Sequence, residues 1–111
     1  MKYSPLSLAA LYAIFALRPS EFEHSGSRQD GHYYKVYFPN GFGASIIKHS
    51  GSYGREDDLF EVAVLFGGDI CYRTPITNDV VGYLTDEDVA HICRRISDLE
   101  LSDLCEEDDE W

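Results

Sequence analysis

The sequence predicts an α+β domain, a four-stranded antiparallel sheet made of two hairpins with an N-terminal and a C-terminal helix on one face. Three features carry this expectation. An apolar run with helical spacing opens the chain, two stretches of alternating apolar residues are each broken by a tight-turn dipeptide, and a capped amphipathic stripe follows them. A length of 111 residues leaves room for one domain with a modest core. That domain is assigned to residues 1–104, with 105–111 as an acidic tail.

Ser4-Pro5 reads as an N-cap followed by proline at the first helical position. Leu8, Leu11 and Phe15 then recur at helical spacing, as a core helix requires, and Pro19 ends the segment. The apolar run over residues 6–17 is too short for a bilayer, which takes about 20 residues. It ends in Arg18-Pro19 without a small-residue cleavage site, so a signal peptide is not expected. Residues 20–31 are polar, contain Ser25-Gly26-Ser27 and read as a loop. Residues 32–38 alternate, with Tyr34, Val36 and Phe38 on one face. Pro39-Asn40-Gly41 turns the chain into a return strand over residues 43–49.

After a second loop over residues 50–58, Phe60, Val62, Val64 and Phe66 mark a strand spanning 59–66. Gly67-Gly68 turns it into residues 69–74, which Pro75 ends. Thr77-Asn78-Asp79 marks a further connection. Thr85 with Asp88 approximates a capping box, and Val89, Ile92, Cys93, Ile96 and Leu99 form a stripe at helical spacing.

No motif of catalysis or cofactor binding emerges. Gly41-Phe42-Gly43 lacks both the third glycine and the βαβ unit of a dinucleotide fingerprint. Gly51-Ser52-Tyr53-Gly54 lacks the spacing of a nucleophile elbow. His24, His32, His49 and His91 show no metal-ligand spacing with one another or with Cys71, Cys93 and Cys105, so no metal and no cofactor are expected. Three cysteines without a CxxC pair suit free thiols in a reducing cytoplasm. Tyr33 and Tyr37 alternate with Lys35 as a base-stacking platform would, but the basic groove such platforms need is missing; a partner-binding or edge role is expected instead.

Charge is the dominant signal. Twenty acids against nine Lys and Arg give a net charge of -11, which repels nucleic acid and anionic membranes and attracts cationic surfaces. Residues 1–78 hold eight acids and seven bases, a net of -1; residues 79–111 hold twelve acids and two bases, a net of -10. Acids in the first turn of the second helix complement its dipole. The run Asp98, Glu100, Asp103, Glu106, Glu107, Asp108, Asp109 and Glu110 has no such folding rationale, because like charges oppose compaction. Carboxylates one helical turn apart lie ~6 Å from each other, a spacing of the order of that between phosphates on a DNA strand. The expected partner-binding residues are therefore Asp79, Asp86, Glu87, Asp98, Glu100, Asp103 and Glu106 to Glu110, with Glu56, Asp57 and Asp58 as a second patch.

A short two-helix, four-strand chain with this acidic balance, in the segments Tyr34–His49 and Leu59–Leu99, resembles the small inhibitors encoded by phages and mobile elements, in particular the DNA-mimic anti-CRISPR proteins. The resemblance implies a non-enzymatic protein that occupies the DNA-binding channel of a Cas effector in the bacterial host cytoplasm, without a cofactor and as a monomer or dimer. An immunity- or antitoxin-type protein that neutralises a basic nuclease shares the same electrostatics, and a small metal-binding or enzymatic domain is the third expectation.

Overall fold

The structure, a computed structural model, describes residues 3–26, 31–49, 52, 57–71, 74–76 and 80–104. The element order is α1 (Leu8–Phe15), β1 (Glu21–Gly26), β2 (His32–Tyr37), β3 (Phe42–Lys48), β4 (Phe60–Phe66), β5 (Asp69–Ile70), β6 (Val81–Leu84) and α2 (Asp86–Ser97), followed by a single 3₁₀ turn at Leu101–Asp103. All pairings are antiparallel. The strands run in the order β1-β2-β3-β4, and β5 and β6 both pair with β4.

The α+β class and the single antiparallel sheet agree with expectation, but the sheet has six strands rather than four. Strand β1 lies in the segment expected to be a loop. Its sequence Glu-Phe-Glu-His-Ser-Gly offers one apolar residue, so periodicity misses it; it is an edge strand held by its backbone ladder to β2, from Glu21↔Tyr37 to Gly26↔His32. Strand β6 was unforeseen because four residues containing a glycine give no alternation to read, and its pairing with β4 is irregular. The expected strand over residues 69–74 shrinks to the two residues of β5.

The two hairpins close as their turn residues dictate. Gly67 and Gly68 both sit at positive φ (66° and 94°), where a residue with Cβ is strained. At the β2–β3 turn, Asn40 Oδ1 accepts from the Phe42 amide at 3.0 Å, while its Nδ2 donates to the carbonyls of Ile96 and Leu99, each at 2.9 Å. One side chain thus shapes the turn and satisfies the C-terminal end of α2. A Cβ at position 43 would stand 2.4 Å from the Val36 carbonyl and 2.7 Å from the Tyr37 ring, so Tyr37 packs across a glycine by necessity.

Tyr34, Val36 and Phe38, then Phe42, Ala44 and Ile46, then Phe60, Val62 and Val64 project from one sheet face. With Leu6, Ala10, Ile14, Leu84, Val89, Cys93, Ile96 and Leu99 they form a single core beneath both helices. The capping box of α2 is present: Thr85 Oγ1 accepts from the Asp88 amide, and Asp88 Oδ2 accepts from the Thr85 amide, both at 3.1 Å.

Helix α1 departs from expectation at its start and in its orientation. The N-cap is Ser7, whose Oγ accepts from the Ala10 amide at 3.1 Å, not Ser4. Residues 3–6 instead run non-helical across the sheet, stitched to it at three of the four residues. His32 Nε2 bonds to the Tyr3 carbonyl at 3.1 Å, Lys48 Nζ donates to the Ser4 carbonyl at 2.8 Å, and the Leu6 amide donates to the Tyr34 hydroxyl at 3.0 Å.

Lys48 is the centre of this seam. Its side chain is 1 % exposed, yet it is charge-paired with Asp58 at 3.1 Å, and its ammonium sits 3.9 Å from the centroid of the Phe60 ring. Asp58 Oδ1 also accepts from the Ser4 amide at 3.0 Å. Asp58 reaches both groups from a left-handed backbone conformation, φ 60°, that Asp tolerates better than most residues. Burial pushes its carboxyl up, but the Ser4 and Lys48 bonds outweigh burial and hold it below its ordinary value of 3.8. A carboxyl lowered in the folded state stabilises fully above the unfolded value, and that stability is lost as pH falls through the folded one.

Acid should therefore loosen this seam below about pH 4. Asp58→Ala, which strands a buried ammonium, should cost on the order of 2 kcal/mol. Lys48→Met should cost less, because Asp58 is 46 % exposed and rehydrates. Denaturant midpoints of the two variants as a function of pH check the asymmetry; equal costs would contradict it.

Candidate partner-binding surface

The seam decides which way α1 faces. With the helix starting at Ser7, Ala10 and Ile14 turn into the core; Leu8 and Phe15, expected on the core stripe, point outward with Tyr12, at 73 %, 48 % and 75 % exposure respectively. At about 100° per residue these three share one side of the helix with half-buried Leu11. Among the described residues, Phe15 alone of the three has a ring neighbour, Phe22 on β1 at 4.7 Å. Leaving such side chains in water forgoes about 1.5–3 kcal/mol each, so folding does not explain the stripe. The signal was present in the sequence, since residues 8–17 carry no polar face and a helix apolar all round needs cover on every side.

A different side of α1, lined by Ala13 and Ala16, borders an open groove of about 1010 Å³ against α2, whose wall includes Glu87, His91, Arg94 and Asp98. Of the acids expected to bind a partner, the structure brings Glu87 and Asp98 to this groove. Several others are engaged within the fold. Asp86 Oδ2 accepts from the Ser7 amide at 2.6 Å and ties the two helix starts together. Asp98 pairs with Arg94 at 3.6 Å, both 70 % exposed, a contact worth little in water. Asp103 accepts from the Glu100 amide at 2.8 Å, and Asp58 belongs to the Lys48 seam. Glu100 and Asp57 are exposed. Asp79, Glu56 and Glu106 to Glu110 lie outside the described residues.

The described acids therefore do not form an unbroken anionic array, because Arg94, Arg95 and His91 interrupt them on α2. The open sheet face is no basic platform either. Tyr33 stacks on His49 at 5.2 Å, Lys35 lies opposite Glu23 in the ladder, and the Tyr37 hydroxyl is buried with no hydrogen-bond partner among the described residues.

Cys71 and Cys93 are free, and burial pushes the Cys93 thiol up to about 12, leaving it inert as a nucleophile; Cys105 lies outside the described residues. Among the described residues no group of three or more His, Cys, Asp or Glu side chains is placed to hold a metal ion. No described helix is long and apolar enough to cross a membrane. No family model, curated protein or solved structure matches the chain.

Two alanine substitutions, two residues apart on opposite sides of α1, test the orientation of the helix. Tyr12→Ala should change stability by no more than about 0.5 kcal/mol, whereas Ile14→Ala should cost about 2–5 kcal/mol. Urea unfolding of both variants reads the difference, and a comparable loss for Tyr12→Ala would show that the stripe is not exposed.

Proposed function

We propose that this chain is a non-enzymatic binding protein that occupies a basic, nucleic-acid-binding surface of a target protein, in the manner of a DNA-mimic anti-CRISPR inhibitor. The observation that carries the reading is the pairing of an uncharged, outward apolar stripe on α1 with a C-terminal third of net charge -10. Aromatic side chains in desolvated contacts supply most interface energy, while dispersed charge supplies encounter rate and partner choice. The two halves of the chain divide along that line.

Area and charge favour a foreign partner over a second copy. Leu8, Tyr12 and Phe15 together expose roughly 350 Å², less than half of the ~800 Å² per partner in a stable interface. The remainder has to come from the flanks. Two chains of net charge -11 repel across such flanks, whereas a basic surface is drawn to them.

The test is capture and competition. The chain, immobilised at low salt, should retain a nucleic-acid-binding protein from bacterial lysate, and duplex DNA should displace it. Reversing the charges at Glu106 to Glu110 should weaken retention, as should Tyr12→Ser. Retention that DNA does not disturb, or that survives both changes and high salt, would overturn the reading. A Cas effector as the retained protein supports the anti-CRISPR form; a nuclease toxin supports the immunity-protein form.

A further inference from the structure

Strand β1 ends the sheet. It pairs with β2 along one side, from Glu21↔Tyr37 to Gly26↔His32, and among the described residues no strand pairs with its other side. An open edge presents a row of backbone N–H and C=O groups, which proteins blunt with proline, a bulge or a very short strand. β1 has none of these. It is six residues long, contains no proline and keeps its register with β2 throughout.

The edge is also fixed in place. On the core face, Phe22 packs on Phe15 of α1 with ring centroids 4.7 Å apart. His24 stacks on the Tyr34 ring at 4.1 Å and hydrogen-bonds His32 at 3.1 Å. A strand already ordered spares a partner the cost of ordering it. On the opposite face Glu21 and Glu23 are exposed, across the ladder from Tyr37 and Lys35.

The α1 stripe overhangs this edge. Leu8, Tyr12 and Phe15 turn away from α2, whose side of the helix carries Ala13 and Ala16, and the Phe15–Phe22 contact ties them to β1. The space beside β1 is therefore roofed by apolar side chains that the fold leaves in water. From Leu8 to Phe15 the helix rises about 10 Å, and alternate residues of an extended chain lie ~6.6 to 6.8 Å apart, so two of them fit beneath the stripe.

We propose that β1 takes an extended segment of the partner protein as a seventh strand of the sheet, with alternate apolar side chains under Leu8, Tyr12 and Phe15 and the intervening basic ones beside Glu21 and Glu23. This rests on reading the α1 stripe as partner-binding, and it supplies interface area that the stripe alone lacks. A second copy of the chain suits the edge poorly. Two β1 strands paired about Phe22 set Glu21 opposite Glu23, and paired about Glu23 they set that residue opposite itself. The net charge of -11 opposes every such register.

A short blocked peptide of alternating valine and lysine, titrated into the intact chain, tests this by amide hydrogen exchange. Binding should protect alternate β1 amides, those turned away from β2, and leave the amides of β5 unchanged. Two isomers of the peptide, N-methylated on every valine or on every lysine, carry the same charge. One should bind and the other should not, because a strand pairs through one edge at a time. Glu21→Lys/Glu23→Lys should weaken binding at least ~5-fold, as should Tyr12→Ser, whereas Asp69→Lys at the far side of the sheet should not. A peptide that leaves β1 exchange unchanged, or isomers that bind alike, would overturn the proposal. So would protection of β1 that grows with chain concentration and needs no peptide, which assigns the edge to a second copy. Capture of a DNA-displaceable target alongside a silent peptide would leave the proposed function standing and remove only the added strand.

Discussion

Lys48 places an ammonium group in the interior beside the N-terminal segment, where an unpaired charge would be prohibitive, and the fold arranges that segment to answer it. Asp58, the Ser4 carbonyl and the Phe60 ring surround the nitrogen, and Asp58 at the same time accepts from the Ser4 amide. Each partner comes from a different part of the chain, so satisfying one buried cation joins the N-terminal segment, β3 and the entry to β4. With Tyr3 and Leu6 also bonded to side chains of β2, residues 3–6 cannot join the helix that Ser4-Pro5 would otherwise start. The helix begins three residues later than those caps suggest, and that start sets its rotation.

Rotation is what converts a folding detail into a surface. With Ser7 as N-cap, the core receives Ala10 and Ile14, and the bulky Leu8, Tyr12 and Phe15 are left outside. Asp86 reinforces the arrangement by binding the Ser7 amide from the first turn of α2. Several acids that sequence counting assigns to a partner are thus occupied in building the molecule. The residual anionic character comes from Glu87, Glu100 and the run at Glu106 to Glu110. On the proposed reading, those charges bring a basic partner in and the α1 stripe holds it.

Legibility in the sequence followed the strength of periodic signals. β2 and α2 were readable because one face of each is buried and the other is not, which writes period 2 or 3.6 into the residue types; β3 and β4, buried on much of both faces, were readable as apolar runs bounded by turn and loop residues. β1 and β6 were not, because an edge strand is held by backbone bonds that any residue can make, and neither carries an alternating pattern. Helix α1 was readable as a helix, but its orientation was not. A run such as Leu-Ala-Ala-Leu-Tyr-Ala-Ile-Phe offers apolar residues on every side, and the long-range bonds of Lys48, Tyr34 and Asp86 select among them. The His24–His32 contact escaped for a related reason: pairing across a hairpin depends on register, and β1 had no predicted register.

Association kinetics with the captured target test the central claim most directly, since steering and anchoring act on different rate constants. Reversing Glu106 to Glu110 should slow association and flatten its dependence on ionic strength, with dissociation little changed. Tyr12→Ser should leave association near wild type and speed dissociation. An association rate of the wild-type chain that ignores salt, or a Tyr12→Ser chain that dissociates as slowly as wild type, would contradict the division of labour between the acidic third and the α1 stripe.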